Sequence, residues 1–235
     1  MFRIQNYTRG CTPLTDLDLT LKPGPSLELR ILGTRIDSEV PRKGFYRLIT
    51  PKQITNYGTV NKDAYIGTPA KIANINFGDI LFGESGTGRT MVYLDKDENT
   101  INNAHAHILR SKRTNDLCRT ITIRCILQYY KESGLTDCMT VGGAGGHLSP
   151  SYFDRIMIPN IPEDKQCVIA SLYYSNTDYL SSTFTLGNFI MEDSLYNECA
   201  GIYELDKSAK MLRVKLNEAI DNIVNGKDVT IDFHM

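Results

Sequence analysis

The sequence predicts an α+β protein, with a β-rich domain containing short helices over residues 1–160 and a helical, coiled-coil-like region over residues 161–235. Three observations predict it. Apolar runs of strand length alternate with glycine-rich turns through the first part, as at Ile80 to Phe82 and Met91 to Leu94. Pro162-Glu163-Asp164 puts proline and acids where a helix opens. Leu205, Ala209, Leu212, Leu216, Ala219 and Ile223 recur at alternating four- and three-residue spacings, the seam of a coiled coil about three heptads long.

Length and composition bound the rest. A chain of 235 residues, 41% hydrophobic and 23% charged, can bury an ordinary core. No apolar run approaches the roughly 18 residues of a membrane span, and Met-Phe-Arg-Ile-Gln-Asn has no signal-peptide core, so the cytoplasm is the expected compartment. Cysteines 11, 118, 125, 138, 167 and 199 contain no C-x-x-C pair, which argues against a zinc knuckle or a disulfide framework and for free thiols. His105 and His107, two apart, would share a strand face but lack a further ligand at metal spacing, so no metal or cofactor is expected. Residues 1–160 hold 20 Lys and Arg against 15 Asp and Glu, and residues 161–235 hold 6 against 12. A basic body followed by an acidic piece suggests an anionic ligand for the first and a different partner for the second.

In chain order, residues 1–26 read as a loosely packed lead-in punctuated by Lys22-Pro23-Gly24-Pro25. Leu27 to Ile36 alternates like a half-buried strand. From Val40 to Lys62 come five basic residues (Arg42, Lys43, Arg47, Lys52, Lys62) and no acid, interleaved with Phe45, Tyr46 and Tyr57. Phe45 to Thr50 reads as a strand ending in Thr-Pro, and Asn56-Tyr57-Gly58 as a turn. Basic side chains beside Gln53 and Asn56 are the usual tools for phosphate and base-edge contacts; the competing reading is a solvated face.

Phe77 to Leu94 is the stretch around which the rest is organised, read as strand, glycine-rich loop and strand. Glycines 83, 86 and 88 would turn amides outward through positive φ, with Arg89 at the loop's end. Gly83, Gly88, Arg89 and Thr90 nearly spell a nucleotide-binding loop, but Arg replaces Lys and a strand follows where a helix must open, so that reading is rejected. A plain structural hairpin is the alternative to an anion-facing loop. Thr100 to Arg110 reads as a strand leading into Ser111-Lys112-Arg113, a second basic cluster. Thr120 to Glu132, ended by Gly134, fits a helix or a buried strand, with the helix preferred. Val141 to Ser149 is a second glycine-rich loop without the context of a dinucleotide fingerprint. Arg155 to Pro159 reads as a strand, Pro162 onward as a helix broken after Asn176, and Leu205 to Val224 as a helix whose seam meets either a second helix or its own core.

With these pieces placed, the chain resembles one target-recognition unit of a specificity (S) subunit of a type I restriction-modification system. The resemblance lies in Tyr46 to Ile54 with Gly58, in Gly78 to Phe82, in Asn103 to Arg110, in Gly142 to Ser149 and in Ile156 to Pro162 leading to Gln166. These cover roughly residues 30–175 in the family's order. The resemblance implies a domain that reads one half of a split site in double-stranded DNA, and helical spacers that bind adenine methyltransferase subunits, with a restriction subunit as a further partner. A full S subunit carries two recognition domains. This chain has one, and its Cys199 to Lys227 portion departs from the usual spacer, which points to a half-length subunit pairing with a copy of itself or to a module serving one methyltransferase.

DNA contact is therefore expected from Arg42, Lys43, Arg47, Lys52, Gln53, Asn56, Arg89, Thr90, Lys112 and Arg113, and assembly from Leu205, Leu212, Leu216 and Ile223. Among these, Gln53, Asn56 and Arg89 are the candidates for base edges. Catalysis is expected elsewhere, since no Pro-Pro of an amino-methyltransferase loop and no Gly-x-Ser-x-Gly elbow occurs, and Asp95-x-Asp97-Glu98 reads as a solvated turn. The alternative from another class is a protein-interaction adaptor, such as an antirestriction-type DNA mimic working through the acidic region.

Overall fold

The computed structural model describes residues 10–84, 89–97, 99–114, 116–140, 146–176 and 187–229. The chain divides into two compact units, Met1–Cys167 and Val168–Met235. The first carries strands and short helices and the second carries helices, so the α+β expectation stands.

The strands are β1 (Cys11–Pro13), β2 (Leu19–Pro23), β3 (Ile36–Ser38), β4 (Tyr46–Ile49), β5 (Tyr65–Gly67), β6 (Ile80–Gly83), β7 (Thr90–Val92), β8 (Thr100–Asn102), β9 (Ala106–Ser111) and β10 (Met157–Pro159). The helices are α1 (Leu29–Leu32), α2 (Leu117–Glu132), α3 (Glu163–Tyr173), α4 (Phe189–Cys199) and α5 (Ile202–Val224). One four-stranded sheet runs β2-β9-β6-β7, a second runs β3-β5-β4-β8 with β4 parallel to β8, and β1 pairs with β10.

Strand β4 shows how the sequence chooses this arrangement. Successive side chains of a strand point to opposite faces. Leu48 enters a cluster with Leu27, Leu32, Ile66 and Ile101, while Ile49 enters another with Ile54, Ile75, Leu81, Met91 and Tyr93. Leu81 of β6 joins that second cluster, and Phe82 turns the other way onto Phe153, ring centroids 5.7 Å apart. Both faces of these short strands are covered, which is why their apolar runs are continuous. At about 25 cal/mol per Å² of apolar surface removed from water, these clusters stabilise the unit together with buried side chains outside them such as Ile80, Phe82, Leu109, Leu127 and Phe153.

Several sequence readings change. The lead-in holds β1 and β2, with Leu14 and Leu19 buried; Pro23 is tolerated because β2 is an edge strand. Leu27 to Ile36 is not one strand. Leu27 and Leu32 face the core, Leu29 and Ile31 are exposed, and the single turn of α1 closes on Gly33 at φ 71°. Thr100 to Arg110 is two strands joined at Asn103 to His105, so His105 lies in the turn and does not share a strand face with His107. Thr120 to Glu132 is helical, and its end is closed by Gly134 at φ 74°, whose N–H donates to Lys131 O at 3.0 Å.

The second unit is built on tyrosines. Tyr173, Tyr196 and Tyr203 are buried, and the Tyr196 and Ser208 hydroxyls bond at 2.9 Å. Buried Glu204 accepts the Ser175 and Asn176 amides at 2.9 and 2.8 Å, where the chain leaves α3 with Asn176 at φ 57°. No helix among the described residues is long and apolar enough to cross a membrane.

Candidate nucleic-acid interface

Strand β4 ends at Thr50-Pro51, and Pro51–Gln53 forms a 3₁₀ turn closed by a reciprocal cap. Gln53 Oε1 accepts from Thr50 N at 2.7 Å and Thr50 Oγ1 at 2.8 Å, and its Nε2 donates to Lys62 O at 2.9 Å. Its amide is thus spent on the loop. A base edge would have to displace these bonds.

The next five residues form a tight loop. Thr55 N donates to Thr59 O at 2.9 Å, Gly58 N to Thr55 O at 3.0 Å, and the Tyr57 and Thr59 amides both reach Thr55 Oγ1 at 3.2 Å. Gly58, at φ 81°, lets the chain reverse in so short a span. The tip leaves the Asn56 and Tyr57 side chains exposed, Tyr57 at 53%. Two arginines hold the loop from below. Arg89 Nη1 donates to Ile54 O at 2.8 Å, and Arg124, buried in α2, donates from Nη2 to Asn56 O at 2.6 Å and from Nε to Thr90 O at 3.1 Å.

The structure therefore brings Gln53, Asn56, Arg89 and Thr90 together, in roles the sequence did not assign. Thr90 is fully buried in β7, and its hydroxyl donates to Arg124 O, so it cannot meet a ligand at the surface. Gly83 is not a positive-φ turn residue either: it lies in β6, where a side chain would press on Pro51 Cβ at 3.0 Å. Residues 85–88 and 141–145 of the two glycine-rich stretches lie outside the described residues, but their flanks meet, with Leu148 N donating to Glu84 O at 2.7 Å.

The basic run also changes character. Arg47 is half-buried and reaches Asp63, Asp95 and Asp97 at 2.9, 2.9 and 3.0 Å. Burial works against its charge, but hydrogen bonding to Asp95 and the field of Asp63 more than offset it, so its pKa rises. Lys62 pairs with Glu39. Arg47 is thus held by three carboxylates, which a phosphate would have to displace. Arg42, Lys43 and Lys52 are exposed and make no ion pair among the described residues, with the Arg42 guanidinium 5.8 Å from the centre of the Phe45 ring.

Lys112 and Arg113 follow β9 of the other sheet. Arg113 is paired with Asp18, whose carboxyl it holds below its ordinary range by hydrogen bonding and by charge, while Lys112 is exposed and unpaired among the described residues. Among the described residues no hydrogen bond or ion pair joins the two basic clusters. Sequence reasoning missed Arg124 and the Asp79–Arg110 pair, whose fork-to-fork bonds are 2.7 and 2.6 Å with Asp79 buried. The available signal for Arg124 was an arginine inside the apolar run from Ile121 to Leu127.

In the second unit the seam divides. Leu205 packs against the Tyr196 cluster and Leu212 is half-buried, whereas Leu216 and Ile223 are 59% and 65% exposed. Of the four seam residues, those in the later part of α5 are the exposed ones. Among the described residues no group of His, Cys, Asp and Glu is placed to hold a metal ion.

No protein-family model matches the sequence, and no curated protein does. The solved structures similar to it include the following three. One is a chain from a study of complex assembly and conformational transition in the type I R-M system, at 11% identity and a TM-score of 0.49 over 91% of this chain and 46% of that one. Another is the type I restriction-modification S subunit from M. genitalium, at 16% identity and 0.39 over 68% and 40%. The third is the HsdS subunit from Thermoanaerobacter tengcongensis, at 12% identity and 0.47 over 91% and 49%. The chain spans about half the length of these proteins.

Proposed function

We propose that this chain is a non-catalytic specificity subunit that reads DNA and directs an adenine methyltransferase, and with it a restriction nuclease where one joins, to a target site. The ordered motif set from Tyr46 to Gln166 supports this reading. The observation that carries it is the Thr55–Thr59 loop, held from below by Arg89 and Arg124, with Asn56 and Tyr57 exposed at its tip and Lys52 one turn away. A rigid loop loses little freedom when it meets a ligand, so an amide and an aromatic ring presented this way suit a base edge and a groove wall. Lys43, Lys52 and Lys112 serve as phosphate contacts that set position without reading sequence. Residues 1–160 form the recognition domain in this reading, and residues 161–235 the assembly region.

The exposed stripe at Leu216 and Ile223 is the contact for a methyltransferase subunit or for a second copy of the chain. Burying each such side chain is worth about 1.5 to 3 kcal/mol, enough for a few of them to hold a helix pair. Leu216→Asp with Ile223→Asp is expected to abolish co-elution with the methyltransferase, or self-association, while thermal unfolding of the first unit is unchanged.

The deciding experiment is adenine methylation of a DNA library by a cognate methyltransferase subunit with and without this chain. Methylation at one defined sequence only when the chain is present is expected. Methyl transfer by the chain alone, or no sequence dependence, overturns the proposal. Should the chain block methylation without binding DNA, its acidic second part would favour an inhibitory adaptor.

A further inference from the structure

We propose that Cys118 and Cys167 are a thiol pair built to close reversibly into a disulfide, which makes them an oxidative modification site joining the start of α2 to the start of α3. Their sulfurs lie 2.6 Å apart although the residues are 49 positions apart in sequence. That is closer than two unbonded sulfurs ordinarily rest, so the two sulfurs are already within reach of bond formation. The register is fixed by a second contact one turn along α2: Thr122 Oγ1 bonds Cys118 O at 2.8 Å and Gln166 O at 3.1 Å. Gln166 Nε2 in turn donates to Ile161 O at 2.6 Å, which pins the first turn of α3. Two successive turns of α2 therefore present Cys118 and Thr122 to the adjacent residues Gln166 and Cys167.

The two thiols are unequal. Cys167 is exposed and Cys118 is half-buried. Hydrogen bonding to the Cys167 sulfur, and then burial, push the Cys118 thiol up to about 11. Cys167 is accordingly the sulfur that meets an oxidant and Cys118 the one that resolves the product. With a peroxide, the Cys167 thiolate attacks one oxygen, the O–O bond breaks, and a sulfenic acid and one water form. Cys118 sulfur then attacks the sulfenic sulfur, the S–OH bond breaks, and a second water leaves with the Cys118 proton. Two thiols and one peroxide become one disulfide and two waters. A dithiol reductant reverses it by exchange.

The consequence is mechanical. α3 is the helix in which the division between the two units falls, and the crosslink ties its opening turns to α2, whose Arg124 supports the Asn56 loop. Reduced, the first turns of α3 are held to α2 by hydrogen bonds; oxidised, they are held covalently.

The test uses the full chain. Treat it with hydrogen peroxide just above stoichiometric concentration, block the remaining thiols, and map peptides by mass spectrometry. A Cys118–Cys167 linked peptide lighter by two hydrogens is expected, with Cys11, Cys125, Cys138 and Cys199 alkylated. Reduction by dithiothreitol should restore both thiols. The oxidised protein should melt higher by on the order of 5 °C, since the crosslink restricts the unfolded chain. Cys118→Ser should trap a sulfenic acid at Cys167 that reacts with dimedone, and Cys167→Ser should protect Cys118 from oxidation. If the linked peptide does not form, or if another pair closes first, the assignment is wrong. A serine variant that fails to fold leaves the wild-type peptide map decisive.

Discussion

Replacing Arg124 by leucine separates a built loop from an incidental one. Arg124 is buried in α2, and its Nε and Nη2 satisfy the Thr90 and Asn56 carbonyls at 3.1 and 2.6 Å. Leucine keeps part of the apolar stem and supplies no donor. A hydrogen bond to a charged group is worth about 1.5 to 3 kcal/mol, and an acceptor left buried without one costs a similar amount. Thr90 O is wholly enclosed, whereas Asn56 O lies under an exposed tip where water can replace the guanidinium. The expected loss is therefore about 2 to 5 kcal/mol, dominated by Thr90, a large share of the 5 to 15 kcal/mol that holds a typical domain. Arg124→Lys has one compact head where two divergent donors are needed, and should lose about half as much.

Urea unfolding followed by far-UV circular dichroism measures the first effect. Amide hydrogen exchange of Tyr57, Gly58 and Thr59, run where the variant is fully folded, measures the second. Exchange at the loop should accelerate well beyond that in β4 and β6, because the loop has lost its lower anchor while the clusters behind it are intact. If Arg124→Leu unfolds within about 0.5 kcal/mol of the parent, the range of an ordinary surface change, the reasoning fails.

Three further outcomes are expected. Gly201→Ala should destabilise the second unit by about 1 to 3 kcal/mol in thermal unfolding, because the added Cβ would meet Tyr173 C at 2.5 Å and Tyr174 N at 2.6 Å, both backbone; an unchanged melting temperature refutes that close approach. Burial pushes the His107 imidazole below its ordinary value against the upward pull of Glu84, so the folded state resists a proton that the unfolded state accepts. Stability should be full above about pH 6.5 and fall as pH drops below it, by at most about 1.4 kcal/mol per pH unit, and His107→Gln should flatten that slope. Lys43→Ala or Lys112→Ala should each lower the slope of log affinity against log salt by roughly one unit, whereas Lys62→Ala, which removes a cation already paired with Glu39, should change it less; equal effects would show that pairing does not decide which cations meet phosphate.

What was legible in the sequence was local. The hairpin around Phe82 and Thr90, the end of α2 at Gly134, the opening of α3 after Pro162 and the extent of α5 each follow from residues within a few positions of the feature. What was hidden is long-range pairing. Val40 to Lys62 contains no acid, yet Arg47 is neutralised by Asp63, Asp95 and Asp97, the last 50 positions away, and Lys62 by Glu39 just outside the run. A charge count along the chain cannot see a partner delivered by the connection between β7 and β8. The same blindness made β2 read as a lead-in: its partner is β9, with Leu21 opposite Leu109. Arg124 was concealed for a related reason, since its acceptors are carbonyls, which no side-chain motif records.

The pairing has a consequence for how the chain could hold DNA. Of the cations first assigned to that surface, Arg47 and Arg113 are spent on carboxylates, and Arg89 already serves Ile54. Arg42, Lys43, Lys52 and Lys112 are left. Each phosphate neutralised contributes about 0.9 to the slope of log affinity against log salt, so four give a slope near about −4 where a strong binder with ten contacts has about −10. Under the proposed function, a protein so equipped grips the backbone weakly and draws its affinity from the fit of a rigid loop and from a second body bound alongside. Two recognition units joined through a partner act on the same DNA molecule at high effective concentration, and their modest affinities then combine. Isolated chain should accordingly show weak, salt-sensitive binding, and addition of the methyltransferase partner should tighten it by orders of magnitude without new contacts from Lys43 or Lys112. Tight binding by the isolated chain at physiological salt would overturn this division of labour.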